Sequence, residues 1–314
     1  MSLPIAPILG LHHVTALVKD AARCRKFYSE VLGLRMVKRT VNFDDPGSYH
    51  LYFGDRTGTP GTVVTFFPHP KAAPTKPGTR EICAVSLAVP VGSLDRWAKI
   101  LGDAHVECAR DELHGEHRLS FRDPDGMALA LVETAHTELS FTPWPQSPTP
   151  PDVAICRLHG VAFRLDSYDA TARLLTGRLG FRATREDRGR FRFHVAEGGP
   201  GKIIDLIATP DGTPAVPGAG SVHHVALRVD TPDDQLEVRE DVASAGLHVT
   251  PVLDRTYFRS IYFREPGGII LEVATDGPGF TADEPEDTLG EALRLPAQHE
   301  HLRERLEREL PPLD

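Results

Sequence analysis

The sequence is poor in cysteine and has no paired cysteine motif. Only four cysteines occur in 314 residues, and none belongs to a Cys-x-x-Cys pair. Scattered cysteines suit a reducing compartment and argue against both a disulfide framework and a thiolate zinc site. The chain also lacks a basic signal segment and any run of about 18 apolar residues. We therefore predict a cytoplasmic protein without a membrane partner.

Positive charge is also in short supply. Lys and Arg number 35 against 44 Asp and Glu, a formal charge of -9, and no basic run could follow a phosphate backbone. Nucleic acid is therefore not expected as a partner. The composition includes 40% hydrophobic residues, 27 glycines and 27 prolines, which is typical of a folded protein rich in turns. At about 100 to 200 residues per domain, the length predicts two domains or one built from repeats.

One sequence pattern occurs four times. The copies are LHHVTALVKD at 11–20, ICAVSLAVPV at 82–91, LHGVAFRLDS at 158–167 and VHHVALRVDT at 222–231. Each alternates like a half-buried strand, leads into a helical stretch and is followed by a later apolar strand. The clearest helical stretches, 21–33 and 170–180, end in glycines that suit a helix C-cap. The repeated unit is therefore a strand, a helix and then several strands.

Stretches rich in proline and glycine separate the units and read as linkers. They lie at 68–79, 142–152 and 210–220. The middle one has the most prolines, so we predict an N-terminal domain at 1–142 and a C-terminal domain at 153–280. The four units are predicted at 8–69, 80–135, 155–209 and 220–276. A helical tail is predicted at 281–314, where leucines 302, 306 and 310 indicate an amphipathic helix packed on the body.

Comparison of the units with one another singles out three residues. The second position of the His-His pair is His13, Ala84, Gly160 and His224 in the four copies. In the closing strands, the position of Glu272 aligns with Ala130 and, more loosely, with Phe66 and Leu206. In this alignment Glu272 is the only carboxylate. A glutamate inside an apolar strand is costly to bury unless it is paired or coordinates a metal.

Strand parity is expected to bring these three side chains together. Residues two apart on a strand share a face, so His13, His224 and Glu272 are predicted on a concave side, opposite the apolar residues that pack on the helices. Two imidazoles and one carboxylate leave coordination positions open on a metal ion. Without a thiolate, this ligand set suits Fe(II), with Mn(II) as the substitute.

The chain resembles the vicinal oxygen chelate superfamily, and within it the ring-cleaving dioxygenases that act on hydroquinones. The resemblance rests on LHHVT near the start, FYSEVLGLRMVKRTVNFDDP, YHLYFGDRTGTPGTVVTFFP, the second HH, YFREPGGIILEVAT and GFTADE. It implies an α+β fold in which four βαβββ modules form two paired half-barrel domains of mixed sheet with flanking helices. It also places His13, His224 and Glu272 at the iron-ligand positions, in agreement with the comparison of the repeats.

The same resemblance implies roles for five further residues. His12 and His223 would handle protons, and Arg255 would stabilise an anionic oxygenated intermediate. Tyr262 would form a hydrogen bond to a ring hydroxyl, and Thr15 would lie on the substrate-facing wall. Other interpretations stay open. His12 and His223 share parity with helix-facing valines and could be core histidines, Arg255 could be a surface charge, and Tyr262 and Thr15 could be packing residues.

Several conspicuous polar residues are not assigned to the metal. His50 and His69 are strand-end histidines without a carboxylate partner in the repeat scheme, and His114 and His117 lie in the polar loop DELHGEH. We predict that none of these four histidines is a ligand. Asp44 and Asp45 precede Pro-Gly, which favours a turn.

These inferences predict an oxidoreductase of aromatic-compound degradation: a non-haem Fe(II) ring-cleaving dioxygenase that opens a hydroquinone or a related dihydroxylated ring. Its partners would be a small aromatic substrate and O₂, and an exposed strand edge or the acidic tail could support a homo-oligomer. Three alternatives remain: an extradiol catechol dioxygenase, a glyoxalase-type metal-dependent isomerase or lyase, and a non-catalytic protein that binds small molecules. The glyoxalase type would need a second glutamate where Phe66 is placed, and the binding protein would be expected to lose the three ligands.

Overall fold

The repeats form two curled sheets in a computed structural model that describes residues 7–135 and 141–313. Each sheet has eight strands, and short helices flank them. Each copy of the sequence pattern forms one βαβββ module. The predicted α+β class and the half-barrel sheets are therefore confirmed.

The first two modules precede residue 135. Module one consists of β1 (Gly10–Val18), α1 (Ala21–Arg25) with a π-helical continuation (Lys26–Val31), β2 (Arg35–Val41), β3 (Tyr49–Gly54) and β4 (Val63–Pro68). Module two consists of β5 (Glu81–Pro90), α2 (Leu94–Asp103), β6 (Cys108–Leu113), β7 (Glu116–Arg122) and β8 (Ala128–Thr134).

The last two modules follow the proline-rich segment at 142–152. Module three consists of β9 (Arg157–Leu165), α3 (Asp169–Gly177), β10 (Arg182–Asp187), β11 (Arg190–His194) and β12 (Ile203–Ala208). Module four consists of β13 (Val222–Val229), α4 (Pro232–Ser244), β14 (Leu253–Asp254), β15 (Arg259–Arg264) and β16 (Ile270–Thr275).

The local sequence explains where these helices begin and end. Gly33 and Gly180, which follow the helical stretches of modules one and three, have φ angles of 74° and 69°. This left-handed conformation is easily adopted only without a side chain. Helix α4 begins with a capping box, in which Thr231 accepts from the Asp234 backbone N–H and the Asp234 carboxylate accepts from the Thr231 backbone N–H.

The strand order is the same in every module. Within a module the strands lie in the order first, fourth, third, second. The first and fourth strands are parallel, and the other neighbours are antiparallel. The first sheet joins modules one and four through the antiparallel pair β1 and β13. The second sheet joins modules two and three through β5 and β9. We call the concave faces of these sheets the first cup and the second cup.

This pairing crosses the division of the chain that the linkers suggest. Each sheet takes one module from residues 1–142 and one from residues 153–280, so neighbouring modules in the chain lie in different sheets. The first and third linkers also meet, because Pro74 bridges to Ala219 and Lys76 to Val216. The two modules that carry the His-His pair, modules one and four, together form the first sheet.

The apolar core lies on the convex faces and is continuous across both sheets. It includes one valine from the middle of each first strand, namely Val14, Val85, Val161 and Val225. A smaller apolar cluster, built largely from aromatic rings, lies in the first cup. The four cysteines are free thiols. None of the helices within residues 7–135 and 141–313 has the length and hydrophobicity of a membrane span.

The tail folds back on the body through short helical segments. Three 3-10 helices span Phe280–Ala282, Glu286–Thr288 and Ala297–Leu302, and α5 follows at Arg303–Glu309. The amphipathic helix expected over 297–310 is thus divided into a 3-10 part and an α-helical part. Leu306 and Leu310 are buried in the core, and Leu302 packs against it.

Candidate metal centre

Two β-bulges shape the start of the first cup. In the pairing of β1 with β13, His12 and His223 have no partner residue, so each marks a bulge. A bulge interrupts the alternation of side chains along a strand. The ring of His12 therefore lies 5.1 Å from that of Phe258, in the first cup, rather than among the helix-facing valines with which it shares parity.

The three residues selected from the repeats meet on one face of the first sheet. Glu272 of β16 pairs with Ala226 of β13, which pairs with His13 of β1, and His224 lies two residues from Ala226. All three side chains are buried, and their ligand atoms lie within 4.8 Å of one another. The Oε2 atom of Glu272 is 2.9 Å from Nε2 of His224 and 3.2 Å from Nε2 of His13.

The Glu272 carboxylate fits a metal ion better than a hydrogen bond. Its Oε2 atom is fully buried and accepts no hydrogen bond, although both imidazoles are close. Such an orphaned oxygen is costly without a partner. Burial alone would raise the pKa of Glu272, but the two histidines hold that pKa well below its usual range. A charged carboxylate facing two Nε2 atoms is a donor set suited to a divalent cation.

Each candidate ligand histidine is held by its neighbour in the chain. Nδ1 of His13 lies 2.9 Å from Nδ1 of His12, and Nδ1 of His224 lies 2.8 Å from Nδ1 of His223. Burial lowers the pKa of His12 to about 3, and partial burial lowers that of His223 to about 4. Both are therefore neutral at pH 7, so Nδ1 of each can accept a hydrogen bond from the Nδ1–H of the adjacent ligand histidine. This hydrogen bond fixes the ligand rings with Nε2 toward Glu272.

Ser260 fixes the carboxylate in the same way. Its buried hydroxyl donates to the other carboxylate oxygen of Glu272, Oε1. Ser260 and Tyr262 lie on the same face of β15, and Tyr262 pairs directly with Glu272. Ser260 was not predicted from the sequence, although its two-residue spacing from Tyr262 was a signal.

A small cavity of about 30 Å³ adjoins the three side chains. Its wall also includes the aromatic rings of Phe43, Phe67 and Phe258, with Tyr52 and Tyr262. This wall excludes water from the face of the centre that the protein leaves open, and it offers flat apolar surfaces to a ring.

Arg255 lies at this cavity and not on the free surface. Its guanidinium carbon is 5.4 Å from the ring centres of both Phe43 and Tyr262, and Nη2 is 3.1 Å from Oδ2 of Asp44. The side chain of Arg255 is 14% exposed, whereas that of Asp44 is 76% exposed. Asp44 is therefore more than a turn residue, because it closes an ion pair across the mouth of the cavity.

Thr15 begins a hydrogen-bonded chain along the wall of the first cup. Thr65 donates to Thr15 across 2.9 Å, His50 Nε2 lies 2.8 Å from the Thr65 hydroxyl, and the Tyr52 hydroxyl lies 2.8 Å from His50 Nδ1. The sequence predicts only that His50 is not a ligand. Its place in the cavity wall was missed, because nothing in the sequence pairs it with Thr65 or Tyr52.

The register of two closing strands differs from the alignment made on sequence. Glu272 pairs with Ala226 of the first strand of module four, and the equivalent residue in module one is Thr15. Thr15 pairs with Thr65, so Thr65 and not Phe66 occupies the Glu272 position in module one. Likewise Asp205, and not Leu206, occupies it in module three, where it pairs with Ala162. The statement that Glu272 is the only carboxylate at this position is therefore wrong. Apolar strands without a turn motif to anchor them allow a slip of one residue.

Asp205 belongs to a separate ionic cluster in the second cup. Arg192 binds both oxygens of Asp205 at 2.8 and 3.0 Å and also contacts Glu116, which His159 approaches. His114 lies 3.7 Å from Asp205. The guanidinium of Arg192 thus supplies the positive charge that Asp205 requires.

The chain was compared with protein-family models and with known proteins. The model of the Glyoxalase/Bleomycin resistance protein/Dioxygenase superfamily matches residues 10–131 and 157–273. A Bacillus subtilis (strain 168) protein named as a ring-cleaving dioxygenase, MhqO, is 43% identical over 98% of this chain and 97% of its own. The chlorohydroquinone/hydroquinone 1,2-dioxygenase of Sphingobium indicum is 34% identical over 98% of this chain and 97% of its own.

Solved structures have the same fold. A crystal structure of a protein from Bacillus subtilis named as a dioxygenase aligns with a TM-score of 0.92 at 42% identity, over 98% of both chains. Glyoxalase I from Zea mays aligns with a TM-score of 0.62 at 14% identity, over 85% of this chain and 92% of its own, which is a likeness of fold alone. The resemblance seen in the sequence is confirmed: the chain belongs to the glyoxalase, bleomycin resistance protein and dioxygenase superfamily.

Proposed function

We propose that this protein is a non-haem Fe(II) dioxygenase that opens the ring of hydroquinone or a substituted hydroquinone with O₂. The observation that carries the proposal is the convergence of His13, His224 and Glu272, all buried, beside a cavity lined by aromatic rings and Arg255. Two imidazoles and one carboxylate are the ligand set of Fe(II) enzymes that use O₂. Mn(II) is the substitute that the same donors would accept.

His13, His224 and Glu272 would hold the metal, which supplies Lewis acidity and open positions for a ring hydroxyl and O₂. The protein's own contribution is orientation. His12 and His223 hold the two imidazoles through Nδ1, and Ser260 holds the carboxylate through Oε1. Fixed ligands keep the open face directed at the aromatic wall.

Arg255 and Tyr262 are placed to bind the substrate oxygen. A phenolic hydroxyl has an ordinary pKa of about 10, so its deprotonated form needs nearby positive charge. Arg255 remains charged, because the adjacent Tyr262 and Asp44 more than offset the effect of burial and raise the pKa of its guanidinium. The guanidinium can donate to an anionic oxygen, while Phe258 and Phe67 pack against the ring.

The cavity must widen when a ring binds. Its volume of about 30 Å³ is far below the several hundred Å³ of an ordinary small-molecule pocket. The contact best placed to yield is the ion pair of Arg255 with the exposed Asp44, since exposed ion pairs contribute only about 1 kcal/mol or less. Movement of Asp44 would free the Arg255 guanidinium for the substrate.

The hydroquinone class is supported by the Sphingobium relative, whose name states that substrate. A catechol dioxygenase remains the second candidate within the same chemistry. A glyoxalase-type isomerase is less well supported, because the module-one position that corresponds to Glu272 holds Thr65, which is not a carboxylate.

The deciding experiment is oxygen uptake by the protein loaded anaerobically with Fe(II). Hydroquinone, chlorohydroquinone, catechol and the glutathione hemithioacetal of methylglyoxal are offered in parallel. We expect one O₂ consumed per hydroquinone ring opened, with slower reaction of catechol. Preference for catechol would reassign the substrate, and turnover of the hemithioacetal without O₂ would replace the dioxygenase by an isomerase.

A further inference from the structure

The second cup contains a preformed hollow. The hollow has a volume of about 920 Å³, lies against module two of the second sheet and shares no lining residue with the cavity at the candidate metal centre. Its size lies in the range of small-molecule sites, whereas protein interiors otherwise leave little empty space. The first cup instead contains an apolar cluster that includes the aromatic rings of Tyr52, Tyr257, Phe258 and Phe280.

The hollow exists because module two has small residues where module one has large ones. The strand pairings place Ala84 at the position of His13, Ala130 at that of Thr65, and Ser120 at that of Tyr52. Ala84, Ala130 and Ser120 all line the hollow.

Positive charge is concentrated around this space. Four arginines line it, Arg118, Arg122, Arg164 and Arg190, against three carboxylates, Glu107, Asp111 and Asp123. Arg118 is bound to Asp111, and Arg164 to Glu81. Within residues 7–135 and 141–313, Arg190 forms no ion pair, although it is only partly exposed. Arg122 also forms no ion pair in these ranges but is exposed, and the charge of Arg190 helps to lower the pKa of Asp111. A half-buried guanidinium without an ion-pair partner is a ready site for an anion.

The module-three side of the second cup is already satisfied. Arg192, two residues from Arg190 on the same face of β11, is fully engaged with Asp205 and Glu116. The position of His224 is Gly160 in module three, so no ligand histidine remains there. The second cup therefore does not repeat the ligand set of the first.

We propose that the hollow of the second cup binds a small organic monocarboxylate, with its carboxylate on Arg190 and its apolar body against the small residues of module two. One carboxylate matches Arg190, the half-buried arginine of this lining that forms no ion pair within the described residues. The apolar body matches Ala84 and Ala130, which line the space. This site is separate from the proposed ring-cleavage site and does not depend on that function.

Calorimetric titration of the Fe(II)-loaded protein under nitrogen with benzoate tests the proposal, with the neutral benzamide as the matched ligand. Benzoate should bind and benzamide should bind at least tenfold more weakly. The His13→Ala variant, which disrupts the metal centre, should keep benzoate affinity. Loss of binding in that variant would assign the benzoate to the metal and overturn the proposal, as would equal affinity for benzamide or no binding of benzoate.

Variants of the hollow supply the second half of the test. Arg190→Gln should weaken benzoate binding by about ten- to one hundredfold, the loss expected for a charge-assisted contact. Arg188→Gln, on the exposed turn of the same hairpin, is the matched control and should bind as the wild type does. Ala84→Leu and Ser120→Tyr should reduce affinity by filling the space. Unchanged binding in Arg190→Gln and in whichever filling variant folds would refute the site, whereas ring cleavage should be unaltered in all of them.

Discussion

Asp205 occupies in the second sheet the position that Glu272 occupies in the first. Each lies in the closing strand of its module and pairs with an alanine of the first strand, Ala162 and Ala226 respectively. Glu272 faces two histidines, whereas Asp205 is bound by the guanidinium of Arg192. The same carboxylate position thus serves a candidate cation site in one cup and an internal salt bridge in the other.

Replacing any one of the three candidate ligands should abolish stoichiometric iron binding. His13→Ala, His224→Ala and Glu272→Ala each leave two ligands, too few for a three-ligand site. Iron per chain, measured by mass spectrometry after anaerobic loading and desalting, should fall to background. His117→Ala, an exposed histidine of the second sheet, is the control and should keep full iron. Full iron content in any of the three variants would remove that residue from the ligand set.

Ser260→Ala should weaken metal binding without abolishing it. The variant leaves Oε1 of Glu272 buried without a donor, and loss of such a supporting hydrogen bond typically costs about ten- to one hundredfold in metal affinity. Competition with a chelator of known affinity measures the change. Ser244→Ala, on the exposed side of α4, should have no effect. An unchanged affinity in Ser260→Ala would show that Ser260 does not orient the carboxylate.

Arg255→Gln should preserve iron and slow turnover. The side chain contacts the cavity and none of the three ligands directly, so we expect kcat/KM for hydroquinone to fall by about one hundred- to one thousandfold, as for loss of a donor to an anionic oxygen. Asp44→Asn should change kcat/KM for hydroquinone by less than about tenfold, because Asp44 is exposed. Equal effects of the two substitutions would place the function of Arg255 in the ion pair alone.

Acid should destabilise the protein in part through Glu116. Burial by itself would raise the pKa of this carboxyl, but His159 and Arg192 lower it from 4.5 to about 2. Because the folded-state pKa is the lower one, the stabilisation is complete above about pH 4.5 and is lost as the pH falls toward 2. Its size is on the order of 3 kcal/mol.

Urea unfolding of the wild type and Glu116→Gln between pH 6 and pH 3 measures this contribution. The difference in free energy of unfolding should narrow as the pH falls below about 4.5. Glu112→Gln, on the same hairpin and more exposed, is the control and should show a smaller difference from the wild type at pH 6. A gap for Glu116→Gln that stays constant with pH would contradict the assignment.

Lys38 should be essential for docking of the tail. Its ammonium group is fully buried, 2.5 Å from Oε2 of Glu284 and 2.7 Å from Oδ1 of Asp283. Lys38→Met leaves the buried Glu284 without its closest cation and should cost about 3 to 5 kcal/mol in urea unfolding. Adding Glu284→Leu should recover most of that loss. Lys99→Met, which removes a surface ion pair, should cost less than about 1 kcal/mol.

Much of the fold and the cluster of three could be predicted because both are written in periodic features. The repeated strands, the C-cap glycines and the parity that brings His13, His224 and Glu272 to one face depend only on local spacing. The bulges at His12 and His223 could not be predicted, because a bulge is a property of two paired strands and not of one.

The remaining misses concern pairing between distant segments. Asp44 and Arg255 are 211 positions apart, and no local pattern links them. The sharing of a sheet by modules one and four was also hidden, since neighbouring segments more often pair. Two signals were available, however. Only these two modules carry the full His-His pair, and Asp205 is the one charged residue inside its apolar strand.

Because β1 pairs with β13, the candidate metal centre can form only late in biosynthesis. The second sheet can close once residue 208 has left the ribosome, but Glu272 must still emerge before the first cup exists. At about 5 to 20 residues per second, the interval from the end of module one to the end of module four is roughly 10 to 40 s. During that time β1 of the nascent first module lacks its partner strand β13, and His13 lacks its contact with Glu272. A metal ion held by His13, His224 and Glu272 could be captured by all three ligands only after nearly the whole chain has been made, which would restrict its incorporation to the completed protein.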